Sequence, residues 1–172
     1  MPEMPTVKLE PCGPDQRETL ANLFQFYTYD FTEQWTGLER GEVGEDGRFE
    51  AYPHLDSYWT EPDRRAYLIC TERRIAGFVL INAFSHSGRP IDFAISEFFV
   101  LRKHRRAGVG RAAARAAIAP RPGQWELAVA RRNLEAQSFW RTVAAELCNG
   151  AVEELERDND DWNGPILRFR VI

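Results

Sequence analysis

Between Phe93 and Ala130 the chain carries the pattern that most narrows its fold. A β-rich run, Phe93 to Leu101, passes through a basic, glycine-bearing loop into an Ala-rich helix over about Val109 to Ala119. Pro120 and Pro122 stop that helix before a second β-rich run, Trp125 to Ala130. Strand, helix and strand in this order predict a parallel pair, and ligands of mixed sheets favour the carboxyl ends of such strands.

The rest of the chain surrounds that unit with mostly antiparallel material. Thr6 to Glu10 alternates as a short strand closed by Pro11 and Gly13. Asp15 and Glu18 have capping-box spacing, and Leu20, Leu23, Phe24 and Tyr27 share one helical face, so a helix runs from about residue 16 to 29. From Phe31 to Asp63 periodicity dissolves into acidic, aromatic sequence. Ala66–Thr71 and Ile75–Phe84 flank Glu72-Arg73-Arg74 as a hairpin. In the Phe93 run, Ile95, Glu97, Phe99 and Leu101 are expected on one face. Asn133 to Ala145 reads as a helix with Leu134, Ala136, Phe139, Trp140 and Val143 available for burial. Glu153 to Asp161 reads as a solvated edge or loop, and Leu167, Phe169 and Val171 as a final strand. The order predicts an α+β (mixed α/β) fold with helices on both faces of the sheet, in one domain over residues 1–172.

Composition removes several classes of function. Apolar residues are 44% of the chain, enough for a core, and the net charge of −4 opposes nucleic-acid wrapping. Cys12, Cys70 and Cys148 are too widely spaced for a disulfide framework or a C-x-x-C site, and Cys70 lies in an apolar, core-like run. His54, His86 and His104 lack metal-ligand spacing and read as surface residues, so no metal is expected. The apolar stretch Ile75 to Phe84 is too short for a bilayer, which takes about 18–20 residues. Glu3 and the early prolines do not form a signal pattern. These features predict a soluble, cytoplasmic protein without membrane partners; a homodimer stays open.

The loop Arg102-Lys103-His104-Arg105-Arg106-Ala107-Gly108-Val109-Gly110-Arg111 has the makings of an anion site. A helix N-terminus offers unpaired N–H groups, glycines let an anion approach the backbone, and arginines add bidentate hydrogen bonds. Gly108-x-Gly110-x-x-Ala113 satisfies a dinucleotide fingerprint, but the unit comes late and six residues separate Leu101 from Gly108. A P-loop is excluded because no Gly-Lys-[Ser/Thr] occurs. A plain glycine cap beneath a solvated basic loop is the structural alternative.

Arg105-x-x-Gly108-x-Gly110 resembles the acetyl-CoA-binding signature R/Q-x-x-G-x-G/A of the GNAT (acyl-CoA N-acyltransferase) superfamily. Ser96 to Leu101 resembles that family's fourth strand, Ile75 to Val79 its third, and Asn133-x-x-Ala136-x-x-Phe139-Trp140 its second motif, N-x-x-A-x-x-F-Y. The resemblance implies a central, mostly antiparallel six- or seven-stranded sheet with its parallel pair around a coenzyme A site. It also implies acetyl transfer from acetyl-CoA to an amine by direct attack in a ternary complex, with no metal.

By the same resemblance, backbone N–H groups of Arg105, Arg106, Ala107, Gly108, Val109, Gly110 and Arg111 would bind pyrophosphate. Arg102, Lys103 or Arg106 would reach the ribose phosphate, or remain solvated. Phe99 and Val100 would pair with the pantetheine arm, and one of their N–H groups would polarise the thioester carbonyl. Asn133 would contact pantetheine, serve as a helix N-cap, or both.

Glu97 interrupts an apolar run at the position where many relatives carry the catalytic base; its alternative is an edge residue or an arginine partner. Asp92 is a second choice. Trp140 departs from the common Tyr and supplies no acid, leaving it to pack over the thioester. Tyr27, Tyr29 or water could then protonate the thiolate. The family's usual Gly-Phe is also missing around Ala145 to Cys148. Asp30, Glu33, Glu39, Glu42, Glu45, Asp46, Glu50, Asp56, Glu61 and Asp63 could attract a small cationic acceptor, or simply keep their segment solvated. A non-catalytic acyl-CoA-binding or regulatory module is the alternative function.

Overall fold

Seven strands lie in the spatial order β1-β2-β3-β4-β5-β7-β6 in a computed structural model that describes residue 3 and residues 5–172. The strands are β1 (Val7–Pro11), β2 (Arg65–Thr71), β3 (Arg74–Asn82), β4 (Phe93–Val100), β5 (Gly123–Ala128), β6 (Glu153–Asp158) and β7 (Asn163–Val171). All neighbours pair antiparallel except β4 and β5, which are parallel. The acidic 153–158 stretch is thus an edge strand, and its charges discourage further pairing. At the β2–β3 turn Glu72 and Arg73 both take positive φ, 46° and 67°, the left-handed geometry that matches the twist of a tight hairpin.

Helices cover both faces. Below the sheet, α3 (Val109–Ile118) and α4 (Leu134–Leu147) set Ala113, Ala117, Ile118 and Val143 against Val79, Ile81, Trp125, Leu127 and Phe169. The small alanine side chains let α3 approach closely. Above it, α1 (Arg17–Thr32) and the short α2 (Ser57–Thr60) bury Leu20, Leu23, Phe24 and Tyr58 against Leu68, Phe78, Leu80 and Phe99. Cys70 belongs to this upper core. Leu134 is corrected by the structure: it opens α4 on the solvent side and is 73% exposed.

The parallel pair is short and wedge-shaped. β4 and β5 pair only at Phe93 with Trp125 and at Ala94 with Glu126, and beyond these positions no strand partner faces the β5 side of β4. At the closed end Asp92 accepts the Gln124 N–H at 2.8 Å and donates its own N–H to Gln124 O at 2.9 Å. Asp92 thus fastens the entry of β4, at the other end of the strand from Glu97. Glu126 accepts hydrogen bonds from Arg168 (2.6 Å), the His86 N–H (2.6 Å), the Ser87 N–H (3.0 Å) and the Ser87 hydroxyl (2.7 Å), fastening the β3–β4 loop over β5 and β7.

One expected face in β4 is wrong. Glu97 stands opposite Leu80 and Ile95 opposite Ile81, so Ser96 is the extra residue of a β-bulge. The bulge reverses the alternation. Ile95 and Phe98 join the lower core, whereas Phe99 and Leu101 pack with the upper core, on the side to which Glu97 turns.

Candidate active site

The glycine loop begins with a tight turn at Arg102–His104. There the His104 N–H donates to Leu101 O (2.8 Å) and the Arg105 N–H to Arg102 O (3.2 Å). The next backbone bond in the helix register is Ala112 N–H to Gly108 O, at 3.0 Å. The N–H groups of Val109, Gly110 and Arg111 therefore precede the first helical turn's acceptors and are the orphan donors of α3. Because the Arg105 N–H is engaged, the expected cradle narrows to Arg106, Ala107, Gly108, Val109, Gly110 and Arg111. Arg106 (φ 62°) and Gly108 (φ 81°) take left-handed backbone, and Gly108 is the N-cap, without a side-chain cap bond. Gly110 differs, since a methyl there would sit 3.6 Å from Phe139 and 3.7 Å from Val100, ordinary contact.

The basic side chains divide by role. Arg105 donates from Nε to Val100 O at 2.7 Å and also pairs with Asp30, while Arg102 reaches Asp30 at 2.7 Å. Burial alone would raise the Asp30 pKa, but the two guanidinium groups outweigh it and hold it below the usual range. Among the described residues, Lys103 and Arg106 form no ion pair, and both are exposed. Arg132, in the turn between β5 and α4, donates to Gln34 O at 3.0 Å. The end of α1 and the turn after it thus reach both sides of the wedge, through Asp30 toward the glycine loop and Gln34 toward the β5–α4 turn.

Backbone direction in β4 decides which groups face the opening. The Leu101 N–H donates to Ala76 O of β3 at 2.7 Å, so alternation sends the polar groups of Phe99 to β3 and those of Val100 and Phe98 toward β5. A Cβ on Gly77 would lie 1.9 Å from Phe99 O, which fixes the same direction. The Phe99 backbone thus turns to β3 and not to the expected cleft, while the Val100 N–H and the backbone of Phe98, which sequence reasoning did not name, face the β5 side; Val100 O is taken by Arg105. Trp140 is buried edge-on against Phe98 (4.9 Å between ring centres) and Phe139 (4.8 Å), backing the wedge from α4. Asn133 caps α4, with Oδ1 accepting the Ala136 N–H at 3.1 Å.

Glu97 is largely buried on the upper side, and the Tyr27 hydroxyl donates to it. Burial pushes the Glu97 pKa up to about 7, and hydrogen bonds from Tyr27 and Tyr52 pull only partly the other way. Among the described residues it has no cationic partner, so the arginine-partner alternative does not apply. Burial first, then the neighbouring Glu97, raises the Tyr27 pKa well above its ordinary value near 10. Tyr58 and Ser96 meet at 2.5 Å beside this pair. Tyr52 and Tyr58 were hidden in the segment without periodicity; their clustering with Pro53, His54 and Leu55 gave no helical or strand signal.

Most of the acidic segment is solvated: of its ten carboxylates only Asp30 is shielded, and Asp56 and Glu61 pair with Arg17 and Arg64. Glu42, Asp46 and Glu50 line a cavity of about 580 Å³ between α1 and the following segment, with Phe24, Phe49 and Tyr52 as aromatic walls. His54 is exposed, but His86 is corrected to a half-buried residue whose ring lies tilted against Trp162 at 4.6 Å, with burial lowering its pKa. The described residues contain no group of three or more His, Cys, Asp or Glu suited to a metal, and no helix long and apolar enough to cross a membrane.

Comparison with known proteins agrees with this geometry. No curated protein matches the sequence. Among solved structures, an acetyltransferase from Thermus thermophilus is similar with 19% identity and a TM-score of 0.67, covering 98% of this chain and 99% of that one. PaiA N-acetyltransferase from Thermoplasma acidophilum, solved with coenzyme A, is similar at 11% identity and a TM-score of 0.56, over 96% and 99% of the two chains. An aminoglycoside acetyltransferase in complex with coenzyme A has 11% identity and a TM-score of 0.61, over 96% and 95%. These likenesses establish the fold. The model of the Acetyltransferase (GNAT) family matches residues 21–144, from α1 through the glycine loop to α4, and the chain belongs to that family.

Proposed function

We propose that the protein transfers an acetyl group from acetyl-CoA to an amine by direct attack in a ternary complex. The observation that carries this reading is Glu97: a largely buried carboxylate without a cation, poised near neutrality beside the open end of a parallel strand pair. Alkyl amines are protonated at neutral pH, with a pKa of about 10.4 for a lysine amine, and cannot attack a thioester until a base takes the proton. Glu97 would accept it, directly or through water, as the new C–N bond forms.

The remaining roles follow from the geometry. Orphan N–H groups from Arg106 to Arg111 would hold the pyrophosphate, with Lys103 and Arg106 free for the ribose phosphate. Val100 and Phe98 offer β5-facing backbone to the pantetheine arm, and one of their N–H groups would polarise the thioester carbonyl. Tyr27 orients Glu97 and is a poor acid, since its own proton is held more tightly than that of a free phenol. Trp140 has only a packing role. The coenzyme A thiolate leaves without a strong acid, because a thiol pKa near about 8.5 makes it a fair leaving group. Carboxylates beside Tyr52 favour a cationic acceptor.

Calorimetric titration with acetyl-CoA followed by thiol release across a panel of amines tests the reading. Binding with turnover for a cationic amine is the expected result. Tight binding with no turnover for any amine would instead establish a non-catalytic acyl-CoA-binding module.

A further inference from the structure

Glu97 takes its direction from the irregularity in its own strand. If Ser96 took a regular ladder position instead of bulging, alternation would turn Glu97 to the lower face with Ile95. The bulge is held from outside the strand. Ser96 Oγ donates to Leu80 O at 3.3 Å and meets the Tyr58 hydroxyl at 2.5 Å. Tyr58 itself is buried on α2.

Ser96 gives its proton to Leu80 O, so the Tyr58 hydroxyl donates to Ser96. We propose that Tyr58 is a positioning residue for Glu97, acting through Ser96 on the bulge that aims the side chain. The proposal rests on the reading of Glu97 as the base.

Removing the Tyr58 hydroxyl takes away the contact that holds Ser96 in the bulge, and so loosens the aim of Glu97 toward Tyr27. The titratable and charged groups facing the cluster are Tyr27 from α1, Tyr52, Tyr58 from α2, and Arg64, whose guanidinium lies 5.4 Å from the Tyr58 ring centre. Tyr58→Phe leaves the other three in place.

The test compares wild type with Tyr58→Phe in rate against pH and in an infrared titration of the Glu97 carboxyl in the ligand-free protein. Both midpoints should move, with kcat down roughly three- to tenfold and the acetyl-CoA KM unchanged. Unmoved midpoints overturn the proposal. A carboxyl midpoint that moves while the rate profile stays fixed upholds the positioning and removes Glu97 as the base. Should Tyr58→Phe fail to fold, Ser96→Ala should lower kcat at constant KM and Ser96→Thr should restore it. Equal kcat for Ser96→Ala and wild type would refute the chain of contacts.

Discussion

Two carboxylates on neighbouring strands mark the two ends of the β4–β5 wedge, and their surroundings are opposite. At the closed end Glu126 is 1% exposed, ion-paired with Arg168 at 2.6 Å and hydrogen-bonded to the β3–β4 loop. At the open end the described residues give Glu97 tyrosine hydroxyls and no cation, and burial lifts its pKa to about 7. A buried carboxylate with a full set of partners fastens structure; one without a cation is free to exchange its proton. The sheet therefore places an ion-paired carboxylate where its strands are held together and a proton-exchanging one where they part.

The largest effect should come from the closed end. Glu126→Ala leaves the Arg168 guanidinium buried without its counter-ion, and chemical denaturation should show a loss of about 3–5 kcal/mol. A loss within experimental error would mean that Glu126 does not fasten the wedge. At the open end the injury should be kinetic: Glu97→Gln should lower kcat by about 10²-fold or more and leave acetyl-CoA affinity nearly unchanged in calorimetry. Loss confined to affinity would move Glu97 from chemistry to binding.

Glu97 also makes stability depend on pH. The Glu97 pKa rises from its ordinary 4.5 to about 7 on folding, so the folded protein binds more protons within that window. Stability contributed by the protonated group is full below 4.5 and is lost as pH rises toward 7. Glu97→Gln removes this loss, so its denaturation free energy relative to wild type should improve by about 1–3 kcal/mol between acid and mildly alkaline pH. A difference that does not vary with pH would contradict the burial argument. The smallest pair of effects concerns the glycines. Gly108→Val forces a branched side chain to a φ of 81° and should weaken acetyl-CoA binding about tenfold or more, whereas Gly110→Ala should stay within about threefold.

Much of this wedge was legible because it is local. A β-rich run, a basic glycine loop and an alanine-rich helix lie consecutively, so the parallel pair and the α3 N-terminus follow from chain order alone. Glu97 stood out as a charge inside an apolar strand. What escaped depends on partners far along the chain. The bulge at Ser96 exists only in register with β3, so simple alternation misplaced Ile95. The pairing of Arg102 and Arg105 with Asp30 joins side chains 72 and 75 positions apart, which no local pattern announces. Tyr52 and Tyr58 are held by contacts with Phe24 and Ser96 and not by any helical or strand period of their own. Asn133 was readable because capping is a local bond.

The most direct test of the account is thiol release from acetyl-CoA, measured against pH for wild type and Glu97→Gln with an amine acceptor from the panel. The account predicts a wild-type kcat that climbs through an acid limb near pH 7, and a variant whose residual rate lacks that limb. Equal rates, or the same limb in both proteins, would contradict it.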